Sequence, residues 1–352
     1  MSNKMSISSD VNADSFQTIH SPRGANSGFA MGMTGKGGGF GLGLGMDRLP
    51  EQDIFIGLYK EGKCTCLPYF KKAESGAKEA FVRSGSSVHK VEVACFTDNE
   101  IKRTLGLGID CWEVPGLSFE IATPVSGIPD PKETPCSEIK SAVIPAIFAR
   151  LTIDNRHGGN SLQGFFAVNG LKGISLLADE TDGEMEGLVT AEGYGFAVKA
   201  GKGIRTIADF DLYHLFGRPE PVAFRLAPMG GLLFDVPAGE MVVANIVFGW
   251  FRDGIVTRLH ECSFYYTRCF LDLIDVFRYA IENYGKWWEE AVEADRMLAR
   301  SSLNLHRKFI VAQAVRAYYT STMLFAEGEE PRWVVNEGTF MMMNTISYYS
   351  CY

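Results

Sequence analysis

The stretch GGLLFDVPAGE (230–240), followed at once by VVANIVFGWF (242–251), decides the fold. Leu232, Phe234 and Val236 stand at every second position, the period that lines up side chains on one face of a strand. Pro237, Ala238 and Gly239 interrupt the run, since Pro lacks an amide donor and Gly permits a turn. The apolar run from Val242 then reads as the next strand.

The same signature recurs toward the N-terminus. IFIGLY (54–59), KVEVACF (90–96), LSFEIATPV (117–125), AVIPAIFARLTIDN (142–155), GFFAVNG (164–170) and GYGFAVKAG (193–201) are short β-rich runs. Gly, Pro, Asp and Asn clusters separate them, the pattern of a β-sandwich, here spanning 20–260. Ten glycines crowd GANSGFAMGMTGKGGGFGLGLG (24–45). Phe29, Met31 and Met33 alternate with small residues, as do Phe40, Leu42 and Leu44, which predicts two strands joined by a turn around Gly35–Gly39. Residues 1–19 are mostly polar and read as a flexible N-terminus.

Near residue 262 the period changes. Phe270, Leu273, Ile274, Phe277 and Ile281 have the three-four spacing of a helix face, and a helix is predicted over 263–300. Trp287 and Trp288 fall on this pattern and are expected in the packing. A second helix is predicted over 303–326, with Ile310, Ala314, Ala317 and Tyr318 on one face. Strands first and helices afterwards predict a mainly β protein with C-terminal helices, divided at about 260 into two packed units. An apolar helix face left open over 264–326 would favour a partner, a second copy in a homodimer included.

Charge and motifs exclude several functions. Lys and Arg number 34 against 42 Asp and Glu, a net charge of −8, which disfavours nucleic acid as a partner. No apolar run reaches the roughly 18 residues of a membrane span, so no membrane is expected. The opening MSNKMSISSDVNADSFQTIH has no apolar core of a secretory signal, so the expected location is cytoplasmic. Of eight cysteines only Cys64 and Cys66 lie close together, and all eight read as buried or idle thiols. Six histidines form no HExxH or HxH, so no metal is expected. Gly35-Lys36 is followed by Gly37, not Ser or Thr, and GFGLGLG leads into MDRLP, not into a helix. Neither serves as a nucleotide loop, and no cofactor is expected.

The remaining chemical signal is Trp333-Val334-Val335-Asn336-Glu337-Gly338. A carboxylate inside an apolar run is costly to bury without a partner, so Glu337 is either a site residue or a turn residue facing water.

Four blocks of sequence carry a resemblance. They are HSPRGANSGFAMGMTGKGGGFGLGLG (20–45) with IFIGL (54–58), TPVSGIPDP (123–131) with VIPAIFARLTIDN (143–155), FDVPAGE (234–240) with SFYYTRCF (263–270), and WVVNEG (333–338) with MMNT (342–345). Together they resemble glycoside hydrolase family 52, the bacterial β-xylosidases. The resemblance implies an N-terminal β-sandwich followed by a C-terminal (α/α)6 barrel, of which this chain would hold the first helices. It implies a retaining β-xylosidase that removes terminal β-1,4-linked xylose from xylo-oligosaccharides. Glu337 maps to the family's nucleophile. His20, Ser21 and Lys36 lie in matching blocks and, with Asn336, are candidates for substrate contact. After Thr345 the chain reads ISYYSCY, which does not resemble the family's continuation. The family's acid/base aspartate lies in that continuation, so the chain is expected to be a fragment lacking it, with little activity alone. A non-catalytic β-sandwich module, contacting carbohydrate or dimerising, is the alternative.

Overall fold

The structure, a computed structural model, describes residues 16–42, 51–71, 91–217, 223–224, 226–256 and 261–335. A first hairpin-like sheet holds β1 (Thr18–His20), β2 (Ser27–Met31) and β3 (Gly39–Leu42). Next in the chain come β4 (Asp53–Lys60), β5 (Lys63–Cys66), β6 (Glu92–Cys95), β7 (Lys102–Leu105), β8 (Ile109–Val114) and β9 (Leu117–Ala122). The one-turn helix α1 (Cys136–Ile139) precedes β10 (Ala146–Asp154), β11 (Leu162–Asn169) and β12 (Ile174–Leu176). Then follow α2 (Leu177–Glu180), β13 (Met185–Thr190), β14 (Tyr194–Lys199), β15 (Ile204–Asp209) and α3 (Leu212–Phe216). The long strands β16 (Met229–Val236) and β17 (Met241–Trp250) complete the β-rich part.

Two sheets form the expected sandwich. One has eight strands in the order β12-β13-β14-β17-β10-β9-β8-β7, the other six in the order β15-β16-β11-β4-β5-β6. The period-two pattern sorts the side chains. Leu232, Phe234 and Val236 of β16 face inward, as do Phe166 and Val168 of β11. They meet Ile147, Leu151 and Ile153 of β10 and Ile246, Phe248 and Trp250 of β17 from the other sheet. Ring centroids of Phe166 lie 5.2 Å from both Phe196 and Phe248, so aromatic contacts cross the sandwich. The first sheet plugs this core: Phe29 lies 4.7 Å from Phe248, and Phe40 stacks on Tyr194 at 5.3 Å.

The alternate positions face outward into further cores. Phe148 of β10 stacks on Trp287 at 4.8 Å, beneath α4 (Leu273–Glu282) and α5 (Tyr284–Arg300). Gly249 of β17 sits where a Cβ would come within 2.7 Å of Phe277, which is why the helix can lie so close to the sheet. Asp272 caps α4 by accepting from the Asp275 amide. Trp287 and Trp288 are buried here, as their spacing predicts.

Several expectations change. The stretch 263–300 is not one helix: β18 (Cys262–Phe264) and a 3-10 turn over Tyr265–Arg268 precede α4 and α5. The helix predicted over 303–326 is α6 (Leu305–Ser321), and its last residues instead form β19 (Thr322–Glu327). The reason is local. Thr320, Ser321 and Thr322 donate their hydroxyls to the carbonyls of Arg316, Ala317 and Tyr318, satisfying the last turn and ending it. β19 then pairs with β18 and with β20 (Glu330–Val335). On α6 the face is also different: Ile310 is 63% exposed and Tyr318 55%, while Ala312, Arg316, Ala317 and Thr320 are buried. Much of the apolar face expected to stand open over 264–326 is covered, since Val276, Phe277, Ala280, Trp287 and Ala291 pack on the eight-stranded sheet. Finally, not all cysteines are idle thiols: Cys136 is disulfide-bonded to Cys269, whereas Cys64 and Cys66 are buried thiols. β1 begins at Thr18, which together with Ile19 is buried, so the last residues of the predicted flexible segment belong to the packed fold.

Candidate active site at the base of the N-terminal hairpin

The sequence between β1 and β2, Ser21-Pro22-Arg23-Gly24-Ala25-Asn26, is a buried polar loop. β1 and β2 pair with His20 opposite Phe29. Gly28 allows this closeness: a Cβ there would meet the Ser21 hydroxyl at 2.7 Å and Ile19 at 2.9 Å.

Beneath the loop lies a dry ionic cluster. Arg103 of β7 donates Nε to Asp110 Oδ1 at 3.0 Å and Nη2 to Asp110 Oδ2 at 2.7 Å, a two-pronged pair with neither side chain exposed. It also bonds the Thr18 hydroxyl at 2.6 Å and the carbonyls of Phe16 and Gly32 at 3.0 and 3.3 Å. The guanidinium also lies against the rings of Phe16 and Trp112. Gly32, with φ of 121°, leaves room for it; a Cβ would stand 2.7 Å from the guanidinium. Burial acts to raise the Asp110 carboxyl, but Arg103 and His20 outweigh it and hold the group well below the usual carboxylate range.

His20 is enclosed by this cluster. Its Nδ1 is 3.1 Å from the Thr123 hydroxyl, and its Nε2 is 3.5 Å from Asp110 Oδ2, too long for a good hydrogen bond. Burial disfavours the imidazolium and pulls the pKa down to about 4, so the ring is neutral at pH 7. On the other side stands Arg316 of α6, 1% exposed, which donates Nη1 to the Ala312 carbonyl. Burial lowers its pKa, against the attraction of Asp110 and Asp295. Asp295 of α5 accepts from the Gly108 amide at 2.7 Å, and burial raises its carboxyl.

The loop braces the β19–β20 ribbon. Thr320 spends its only hydroxyl proton on the Arg316 carbonyl, so Ser21 donates to Thr320 Oγ1 at 2.9 Å. The Leu324 amide donates to Gly24 O at 2.8 Å, and Ala25 bridges Met323. In the ribbon, Met323 pairs with Val334 and Thr322 with Val335. Asn336 and Glu337 come next in the chain and lie outside the described residues.

The structure therefore brings together two of the sequence candidates, His20 and Ser21, and separates Lys36 from them. Lys36 is exposed on the turn at the far end of the hairpin, where Gly35 donates to the Pro68 carbonyl at 2.8 Å. Sequence reasoning missed Arg103, Asp110 and Arg316. Asp110 had a signal: it stands two residues before Trp112 on the same strand face, a charge where the alternation demands an inward residue. No cluster of His, Cys, Asp and Glu able to hold a metal occurs among the described residues.

The geometry defines a β-sandwich whose N-terminal loop is locked to a C-terminal ribbon by buried polar groups. Comparison with known proteins gives the class: residues 29–348 match glycosyl hydrolase family 52. The chain belongs to that family. Two β-xylosidases of Geobacillus stearothermophilus are each 31% identical to it, over 340 and 357 residues. Both matches cover 94% of this chain, but 48% of one relative and 55% of the other. The chain thus spans about half the length of the curated relatives it matches. Among solved structures, a family GH92 inverting mannosidase from Bacteroides thetaiotaomicron aligns with a TM-score of 0.35 and 8% identity, over 85% of this chain and 36% of its own. A likeness that slight carries no argument.

Proposed function

We propose that the chain carries the nucleophile half of a retaining β-xylosidase that releases terminal β-1,4-linked xylose from xylo-oligosaccharides. The observation that supports this is the family match, which runs through WVVNEG and so includes Glu337. Retaining hydrolysis uses two carboxyl groups about 5–5.5 Å apart, one attacking the anomeric carbon and one protonating the leaving oxygen. Glu337 is assigned the attack. It must be ionised to act, and a glycosyl ester on its carboxylate is then hydrolysed by water, with the second group as base. In this reading the acid/base comes from the part of the relatives' length that these residues do not span.

The buried cluster has a supporting role. The chain runs from His20 of the cluster directly into the 21–26 loop, and the loop holds Thr320 and Met323 next to the ribbon whose last described residue, Val335, precedes Glu337 by two positions. Turnover of an aryl β-xyloside tests the assignment. In a chain extended to the relatives' length, Glu337→Ala should lose at least about 10³-fold in kcat, comparable to losing a principal catalytic group. Added azide should restore turnover as glycosyl azide. An unchanged kcat in the variant would end the nucleophile assignment.

A further inference from the structure

Three cysteines share one face at the edge of the six-stranded sheet. β5 and β6 run parallel, with Cys64 opposite Val93 and Cys66 opposite Cys95. The Phe96 amide donates to the Cys66 carbonyl at 2.9 Å, the ladder bond that fixes the second pair. Opposite residues of a ladder project to the same side, and so do residues two apart on one strand. Cys64, Cys66 and Cys95 therefore project together. All three are thiols; Cys64 and Cys66 are fully buried and Cys95 is half-buried.

Spacing selects one pair of the three. Neighbouring strands lie about 4.8 Å apart, inside the roughly 4.4–6.8 Å between Cα atoms that a disulfide spans. Cys64 stands diagonally from Cys95, at roughly 8 Å, beyond that range. β6 is the last strand of its sheet, so it can draw in toward β5 without pulling on another strand. Access differs within the pair. Cys95 lines a cavity of about 630 Å³, together with Thr34, Pro68, Phe70, Asp98 and Tyr213. Cys66 belongs to the apolar cluster of Phe165, Leu212 and Leu233. Burial pushes its thiol well above the usual range, and the thiols of Cys64 and Cys95 push the same way. An oxidant arriving from solvent therefore meets Cys95 before Cys66.

We propose that Cys95 and Cys66 form a redox-active pair that exchanges with small disulfides of the glutathione class, Cys95 attacking first and Cys66 resolving. The Cys95 thiolate attacks one sulfur of oxidised glutathione, so a Cys95–glutathione disulfide forms and one glutathione leaves as thiolate. Cys66 then attacks the Cys95 sulfur and expels the second glutathione. Each departing glutathione thiolate takes up one of the two protons the cysteines lose. Two protein thiols are thus oxidised by two electrons, and one glutathione disulfide is reduced to two thiols. The new bond staples the edge strand to its neighbour, and excess reduced glutathione reverses it.

The test is peptide mapping of the full 352-residue chain after native incubation in glutathione buffers, with acid quenching and blocking of thiols by N-ethylmaleimide. In an oxidising buffer the tryptic peptides 64–71 and 91–102 should be recovered as one linked species, with fragment ions placing the bond on Cys66. In a reducing buffer the link should vanish. Cys64→Ser should keep the link. Cys66→Ser should lose it and hold one glutathione on Cys95, since nothing resolves the mixed disulfide. Cys95→Ser should cut glutathione incorporation at this site at least about tenfold, because Cys66 has no access to solvent. Circular dichroism checks that each variant folds; where one does not, the fragment ions of the unsubstituted chain decide. No link in the unsubstituted chain, a link that survives Cys66→Ser, or glutathione on Cys66 in Cys95→Ser would each overturn the proposal.

Discussion

The sandwich core and the seam at the hairpin base are equally dry and built from opposite materials. Phe166, Phe248, Leu232 and Ile147 fill the first, all fully buried and all apolar. Arg103, Asp110, His20 and Arg316 fill the second, each at most 3% exposed. The core forms because removing apolar area from water is favourable wherever it happens. The seam forms only because position supplies partners: among the described residues, at least five hydrogen bonds and two aromatic faces on Arg103, and the Ala312 carbonyl for Arg316. Apolar packing is therefore tolerant and general, and the polar seam specific and brittle. The seam is also where the loop meets the ribbon that leads to Glu337.

The largest expected effects set the two regions side by side. Phe166→Ala opens a cavity in the sandwich and should lower stability by about 3–5 kcal/mol. Asp110→Ala leaves Arg103 buried without its counter-charge and should cost a similar ~3–5 kcal/mol. The difference appears in rescue. Arg103→Met added to Asp110→Leu removes both charges and should recover much of the loss, whereas no single second change refills the Phe166 cavity. Denaturant unfolding measures all of these. If the double variant is no more stable than Asp110→Ala, the seam is held by shape and not by charge balance.

This contrast also explains what the sequence could and could not tell. Strands such as 142–155 and 242–251 announced themselves because alternation is a local signal, and the observed β10 and β17 fall within a residue or so of them at most ends. The strands β7, β8, β13 and β15 were missed, being short and carrying charges among their apolar residues. α6 misled in two ways. Apolar Ile310 faces water while Arg316 is buried, because what that face meets is the Asp110 and Asp295 carboxylates, which only tertiary structure brings there. Its end was overrun because Met323, Leu324 and Phe325 keep a helix-compatible apolar run after the hydroxyls of Thr320–Thr322 have closed the last turn. Of the site, the blocks around His20, Ser21 and Glu337 were legible as sequence. That Lys36 belongs to the far end of its hairpin was not, since spacing along a strand does not say which end faces a site.

The next effect is a pH dependence to which His20 of the seam contributes. His20 has a pKa of about 4 in the fold, against 6.5 in an unfolded chain. Below pH 6.5 the unfolded chain takes up a proton that the folded chain refuses, so stability falls as pH drops from 6.5 toward 4. The full difference is on the order of 3 kcal/mol. Asp110, held low, contributes stability that is present above the ordinary carboxylate range and lost only at lower pH, so it does not generate this slope. Chemical unfolding at pH 7 and pH 4.5 should therefore show a smaller acid loss in His20→Gln than in the unsubstituted chain. Equal losses would place the acid sensitivity elsewhere.

The smallest effect sharpens the comparison within one helix. Ile310 and Arg316 sit less than two turns apart on α6, the hydrophobic residue 63% exposed and the charged one enclosed. A helix read by hydropathy alone would assign them the reverse. Ile310→Ser removes little buried area and replaces one residue of middling helix propensity by another, so the change in stability should stay within about 0.5 kcal/mol. A loss above about 1.5 kcal/mol would mean that Ile310 is covered in solution, as a helix face packed against further protein would be. Because Ile310 and Arg316 point to different sides, that result would leave the buried seam as described and add a second contact surface to α6. The expected near-silence of Ile310→Ser instead leaves the helix tied to the molecule by its buried side, through Arg316, the Thr320 hydroxyl that receives the bond from Ser21, and the packing of Ala312 with Leu107, Ala294 and Leu298.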